Sequence, residues 1–519
     1  MKIFKDLSIK FLIVSGIWLS FLSCSCSKSG EPVINDPEPE NKTEYVTVNL
    51  GGATGVKVQA VGVELDPHFY SQNVVGKPDA SKEADWEIVV DRVRRMGVQR
   101  LRVMVQPQWF EPYNDNNDPM NTDFSAFHWN TIEMQSLYKV LEMAQSQNID
   151  VCLVVWGCPK SVAMVEKEKY PDITTCFMTD PAGTNWVTPP TNKDEFGENF
   201  AALVSYLRNE KGYTCVNEVT PFNEPDGNVC ELEPYIEICK VLDKHFKRMN
   251  IRDKVKFNLS DNTDTRRFYL EGCAAGLKGI ADLFNSHTYI FGYETPNSEV
   301  QSWERANVEV AKRAGLNHMV GEFGSNQCVG ATRQKDIDLY LRGVLMTRHV
   351  LNFFNAGACG VSYWSLIDQY YHYNDGISNM QQLGLWRYLK RIYRGNPIFE
   401  TLKEDYQCRD QYYAYAMLTQ NIRPGADIYP IDLSLDFANA TAFKDEEGKW
   451  VYVIANQEEK QLALAIANNA EGSFDFIRYK EDELPATDAL LKPYMTKDVA
   501  EGSLKVIVEP HTVLVCRQK

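Results

Sequence analysis

Residues 130–156 read NTIEMQSLYKVLEMAQSQNIDVCLVVW. A helical pattern over 130–147 runs straight into the short, apolar, β-rich stretch 149–156. The same alternation extends in both directions. Comparable strand-like runs stand at 58–64, 100–105, 216–222, 254–260, 283–289, 317–322 and 358–364, making eight with 149–156. Helical patterns separate them at 81–96, 193–210, 231–249, 298–314 and 332–355. Within 81–96, Trp86, Val89, Val90, Val93 and Met96 follow one helical face. Near-continuous apolar strands, each followed by a helix, belong to a parallel sheet buried on both faces. Eight such units close most economically into a (β/α)8 TIM barrel. The α/β barrel is therefore expected over 58–404.

The flanks differ in character. Over 405–519, strand-like runs at 412–419, 438–443, 450–456, 461–467, 504–508 and 512–516 are punctuated by turn signals such as Asp445-Glu446-Glu447-Gly448. This pattern predicts an antiparallel β-sandwich domain. The run YVTVNL at 45–50 precedes the barrel, so segment 44–57 is expected to lend a strand to that sandwich. At the N-terminus, Lys2, Lys5 and Lys10 lead into an apolar segment over 11–22, too short to span a bilayer. Ser23-Cys24 then resembles a bacterial lipobox. Residues 1–23 are expected to be a signal peptide, Cys24 the acylated residue, and 24–43, with Pro32, Pro37 and Pro39, a stiff polar tether. Plain secretion is the alternative, periplasmic or outside the cell. The expected location is the bacterial outer membrane or cell surface.

The composition limits the partners. The chain of 519 residues is 44% hydrophobic and 24% charged, ample for a large core, with a net charge of −16. An acidic chain lacks the basic face that neutralises phosphates, which argues against nucleic acid. It also argues against direct adhesion to anionic membranes, leaving the lipid anchor as the expected membrane contact. Neither HExxH nor a P-loop nor GxSxG occurs, and the eight histidines show no metal-ligand spacing, so no metal centre or cofactor is expected. The oxygen-rich run Asn114-Asp115-Asn116-Asn117-Asp118 reads as a solvated turn or as a calcium loop. Eleven cysteines follow Cys26, an odd number, several of them inside apolar runs where a thiol acts as a small hydrophobe.

The chemistry should sit at the C-terminal ends of the strands. The fourth ends in Thr220-Pro221-Phe222-Asn223-Glu224-Pro225, the seventh in Gly321-Glu322-Phe323-Gly324. Three βα units separate Glu224 from Glu322, which sets them across one mouth, and two facing carboxylates are the equipment of glycosidic bond hydrolysis. These motifs, in this layout, resemble glycoside hydrolase clan A. The linker Tyr412-Tyr413-Ala414-Tyr415 with Asn421-Ile422-Arg423-Pro424-Gly425-Ala426 is similar to that of families 30 and 39, and family 5 is less close.

The resemblance implies a retaining glycosidase acting on a β-linked oligo- or polysaccharide, with Glu224 as acid/base and Glu322 as nucleophile. It implies that Arg102 holds the nucleophile ionised, that Asn223 bonds the sugar 2-hydroxyl, that Tyr289 bonds the nucleophile and that Trp364 stacks on sugar. His287 shares strand parity with Tyr289 and should face the same mouth. Trp156, Asp66 and His68 belong to the rim, for stacking and hydroxyl recognition. Trp109, Trp186, Trp303 and the run Tyr370-Tyr371-His372-Tyr373 are further rim aromatics. A non-catalytic glycan-binding lipoprotein on the same barrel is the competing reading, although a binder needs no such charge apparatus.

Overall fold

The computed structural model describes residues 43–67, 82–155, 158–159, 187–227, 230–263, 266–325, 334, 336–368, 382–390, 404–468, 471–500 and 502–519. The expected leader 1–23 and nearly all of the tether 24–43 lie outside them. In chain order the elements are β1 (Val46–Asn49), β2 (Ala60–Glu64), α1 (Glu83–Met96), β3 (Arg100–Val105), α2 (Ile132–Ser146) and β4 (Asp150–Val155). Then come the two-residue strands β5 (Cys158–Pro159) and β6 (Val187–Thr188), α3 (Lys193–Ser205), β7 (Val216–Thr220), α4 (Leu232–Arg248), β8 (Lys256–Asn262) and α5 (Arg267–Gly276). β9 (Leu283–Thr288), α6 (Asn297–Arg313), β10 (His318–Phe323), α7 (Leu341–Ala356), β11 (Gly360–Tyr363) and α8 (Asp410–Asn421) follow.

The strands β2, β3, β4, β7, β8, β9, β10 and β11 pair in parallel in that order, and β11 returns to β2 to close a barrel. All eight expected strand runs are barrel strands. Alternation along each strand divides its residues between two environments. Val61, Val63, Leu101, Val103, Val219, Phe257, Leu259 and Val320 join the main core with the helices. The alternate positions point inward and are polar: Arg100 Nη2 donates to Glu218 Oε1 at 2.5 Å, Asn258 Nδ2 to Glu218 Oε1 at 2.6 Å, and Asn285 Nδ2 to Asn258 Oδ1 at 2.8 Å. The expectation of continuously apolar strands thus holds for their outward faces only.

The helix α1 shows how the sequence sets a boundary. Trp86, Val89, Val93 and Met96 are buried on its inner face, and the Asp85 carboxylate accepts the Lys82 N–H at 2.7 Å to start it. Gly97 stops it in the left-handed region at φ +68°, where a side chain would be strained.

The run 412–419, expected as a sandwich strand, is instead part of α8. This helix packs against α1, α7 and β2, with Tyr415 Oη donating to the Gly62 carbonyl at 2.5 Å and Thr419 Oγ1 to the Met96 carbonyl at 2.7 Å. It is buried almost all round, so it carries no amphipathic period, and its tyrosines imitate β propensity.

The remaining strands are β12 (Asp427–Ile431), β13 (Ala438–Lys444), β14 (Trp450–Asn456), β15 (Leu462–Asn468), β16 (Gly472–Tyr479), β17 (Met495–Val499), β18 (Gly502–Val508) and β19 (Thr512–Gln518). An antiparallel sheet in the order β12-β13-β14-β19-β16-β17 faces a smaller sheet, β1-β15-β18. Val48, Leu464, Ile466, Leu504 and Val506 from the small sheet share a core with Ala440, Tyr452, Ile454 and Phe474 from the large one. β1 pairs with β15 in parallel, the exception to the antiparallel expectation. β12 was not anticipated because Pro430 interrupts its pattern; it sits at a sheet edge, where proline is tolerated.

Candidate active site

Four barrel strands bring the expected pair together. Asn223 and Glu224 follow β7, and the Asn223 N–H is tied to the Val155 carbonyl at the end of β4, at 2.9 Å. Glu224 takes up the left-handed backbone region at φ +43°, an uncommon conformation for a residue other than glycine and one often stored at functional sites. Glu322 lies on β10. Strict alternation from Val320, which faces the helices, would send it outward as well. The pairing of β10 with β9 shifts register between Val320 and Glu322, and this irregularity turns the carboxylate into the lumen. Gly321 permits the turn, since a Cβ there would lie 2.2 Å from Asn285 Oδ1.

His287, from β9, stands between the two glutamates. Its Nδ1 is 2.8 Å from Glu224 Oε1 and 3.3 Å from Glu322 Oε2. One oxygen of each carboxylate and a His287 nitrogen all lie within 4.8 Å of one another. Tyr289 Oη donates to Glu322 Oε2 at 2.8 Å, so the two residues of shared parity both reach the mouth. The side chain of Glu322 is 6% exposed and that of Glu224 34%. One carboxylate is enclosed and the other opens to the cleft.

Arg102 organises the floor. It is the third residue of β3 rather than its last, and it is fully enclosed. Nη1 donates to Glu322 Oε1 at 2.5 Å and to Glu64 Oε2 at 2.9 Å; Nη2 donates to Asn223 Oδ1 and Asp261 Oδ2, both at 2.8 Å. The expected carboxylate partner is therefore present, along with two acids that sequence reasoning missed, Glu64 and Asp261. Asp261 also stands 3.2 Å from His287 Nε2. By alternation from Leu259 it should face the helices; positive φ at Ser260 and Asp261 and a register shift against β9 redirect it inward.

Two cations, Arg102 and His287, thus meet four carboxylates: Glu64, Asp261, Glu224 and Glu322. Burial would lower the His287 value, but Glu322 and Asp261 reverse this and hold it well above the usual imidazole range. Burial works to raise Asp261 too, and Arg102 with His287 overcomes it, bringing that carboxyl down to about 2. Burial drives Glu64 well above the carboxylate range against the pull of Arg102. Burial also raises Glu322, with His287 and Arg102 opposing. Glu224, His287 and Glu322 are spaced as three metal ligands could be, and the same three groups, bonded to one another, can hold and exchange protons.

The other expected positions divide. Trp364 follows β11 at the mouth end and is buried, its carbonyl accepting from Gln334 Nε2 at 3.1 Å. Asp66 is turned into the wall, where its Oδ1 accepts the Met104 N–H at 3.0 Å. Trp109 is buried in a short turn after β3. Trp303 is not on the rim: it lies within α6, beneath the Arg267 guanidinium at 4.5 Å. His68, Trp156, Trp186, residues 370–373 and Cys24 lie outside the described residues. Eight cysteines among the described residues, including Cys152, Cys359 and Cys516, are unpaired and buried or half-buried.

No family model and no curated protein matches the chain. Solved structures do. The catalytic domain of GH30 xylanase C from Talaromyces cellulolyticus is 13% identical with a TM-score of 0.62, the match covering 91% of this chain and 100% of that one. A GH39 β-xylosidase from Caulobacter crescentus is 13% identical, TM-score 0.58, with 91% and 100% covered. A conserved exported protein from Bacteroides fragilis is 11% identical, TM-score 0.65, with the same coverage. At such identities the likeness is one of fold: a barrel with an attached sandwich, as in structures of families 30 and 39.

Proposed function

We propose that the protein is a retaining glycoside hydrolase that cleaves a β-linked glycan by double displacement. The observation that carries this reading is the approach of Glu224 and Glu322 to within 4.8 Å, oxygen to oxygen, about a shared histidine. Retaining enzymes hold their carboxyl groups about 5–5.5 Å apart, whereas inverting ones leave roughly 6.5–9.5 Å for a water. Arg102, Tyr289 and His287 surround Glu322 and fix it for attack on the anomeric carbon. As that bond forms, the half-buried Glu224 passes its proton to the departing oxygen. Glu224 then removes a proton from water, which displaces Glu322 and returns both carboxyls to their first state. Asn223, held by Arg102, stands beside the reacting pair to meet a sugar hydroxyl, and the Trp364 ring is the platform for a sugar face.

The substrate class is an oligo- or polysaccharide, and the N-terminal segment supports export with a lipid anchor at Cys24. A panel of β-linked aryl glycosides and glycans tests the activity. Turnover should give a first-formed product with the substrate's own anomeric configuration in proton NMR. An inverted product would overturn the mechanism, and glycan binding without any turnover would make the protein a binder.

A further inference from the structure

The floor of the site holds one more acid than its cations require. Glu322 and Asp261 supply one negative charge for each of Arg102 and His287, yet Glu64 is buried beside them at 1% exposure. Its main chain is fixed from two sides: it stands opposite Arg102 in the β2–β3 pairing, and its carbonyl accepts the Leu366 N–H at 2.9 Å. Its carboxyl has a single hydrogen-bond partner among the described residues. Oε2 accepts Arg102 Nη1 at 2.9 Å, and Oε1 accepts nothing. Burying a carboxyl with one oxygen unpartnered costs stability, and charge balance does not call for it. The same Nη1 also donates to Glu322 Oε1. Nη2 is taken up by Asn223 and Asp261, and Nε has no partner, so Glu64 and Glu322 alone hold the Nη1 end of the guanidinium.

One of those two holders changes during the reaction. In the first displacement Glu322 bonds to the anomeric carbon, the bond to the departing oxygen breaks, and that oxygen takes the proton of Glu224. Glu322 is then an uncharged ester, and its pull on Nη1 weakens. In the second displacement water oxygen bonds to the anomeric carbon, a water proton passes to Glu224, and Glu322 departs with the bonding pair as a carboxylate. That returning charge is best met by a donor already in place. Resting on this double displacement by Glu224 and Glu322, we propose that Glu64 is a positioning residue for the second step. It keeps Arg102 Nη1 in place while Glu322 is esterified.

Glu64→Leu removes the accepting oxygen and tests this role on a dinitrophenyl β-glycoside. The free variant still has an ionised Glu322 to hold Nη1, so kcat/KM should change little. Breakdown of the glycosyl-enzyme should slow roughly 10-fold or more, the scale of one charge-assisted hydrogen bond. kcat and KM should therefore fall together, and intact-protein mass spectrometry should show glycosyl-enzyme accumulating. Glu64→Gln should behave as the wild type, since its amide oxygen can still accept Nη1. Glu64→Ala supplies the same test should Glu64→Leu not fold. Equal losses of kcat and kcat/KM with no trapped intermediate, unchanged kinetics, or a Glu64→Gln variant as slow as Glu64→Leu would overturn the role of Glu64. A wild type that turns over no glycoside would instead overturn the double displacement, and this role with it.

Discussion

Asp261→Asn is the substitution that separates a bystander from a working part of the site. The carboxylate accepts Arg102 Nη2 at 2.8 Å and stands 3.2 Å from His287 Nε2, so the amide keeps the shape and removes one negative charge from two cations. A charge-assisted hydrogen bond contributes about 1.5–3 kcal/mol, which corresponds to roughly 10- to 150-fold in kcat/KM. The sign of the pH effect follows from His287. Glu322 and Asp261 hold it above its usual value, so the imidazolium persists at neutral pH and is lost as pH rises through its folded pKa. Its contribution to stability is present on the acid side and disappears on that alkaline passage. Without Asp261 the passage should move to lower pH. The assay is a pH series on an aryl glycoside, paired with 15N titration of labelled histidine, the His287 signal assigned by its loss in His287→Gln. If the variant loses activity while the His287 titration stays where it was, the coupling of Asp261 to His287 is refuted.

Three further outcomes are expected. Glu218→Ala strands Arg100 in the barrel interior; losing one partner of a buried pair costs about 3–5 kcal/mol, which for a unit of this size lowers Tm by about 3–5 °C in calorimetry. Gly321→Ala forces Asn285 away from its partner Asn258 and shifts β10 beneath Glu322, costing about 1–3 kcal/mol of stability in urea unfolding, and kcat should fall more than KM changes. Cys24→Ser should move the protein from the membrane to the soluble fraction in a Gram-negative host; a wild type that is soluble and carries no lipid by mass spectrometry would refute the anchor.

The barrel was legible because its outward strand faces and helix faces repeat. The meeting of Glu224 and Glu322 was legible because each lies at the C-terminal end of a barrel strand. What escaped did so for local reasons. Asp261 and Glu64 sit in strands whose neighbours suggested structure alone, and the inward turn of Asp261 depends on a backbone irregularity at Ser260 that no side-chain pattern announces. The helix α8 escaped because a helix enclosed on nearly every side has no polar face to mark its period. Trp303 misled in the opposite direction, an aromatic that packs under an arginine rather than waiting for sugar.

The most direct measurement is azide rescue of Glu224→Ala. The variant should be nearly inactive on substrates with poor leaving groups yet still be glycosylated by a dinitrophenyl glycoside, because a good leaving group needs no proton. Azide can then enter the space that the carboxylate vacates and attack the glycosyl-Glu322 ester. The account predicts restored turnover and a glycosyl azide of the substrate's own configuration, identified by NMR. An azide product of opposite configuration, or no rescue at any azide concentration, would contradict a double displacement by Glu322 and Glu224.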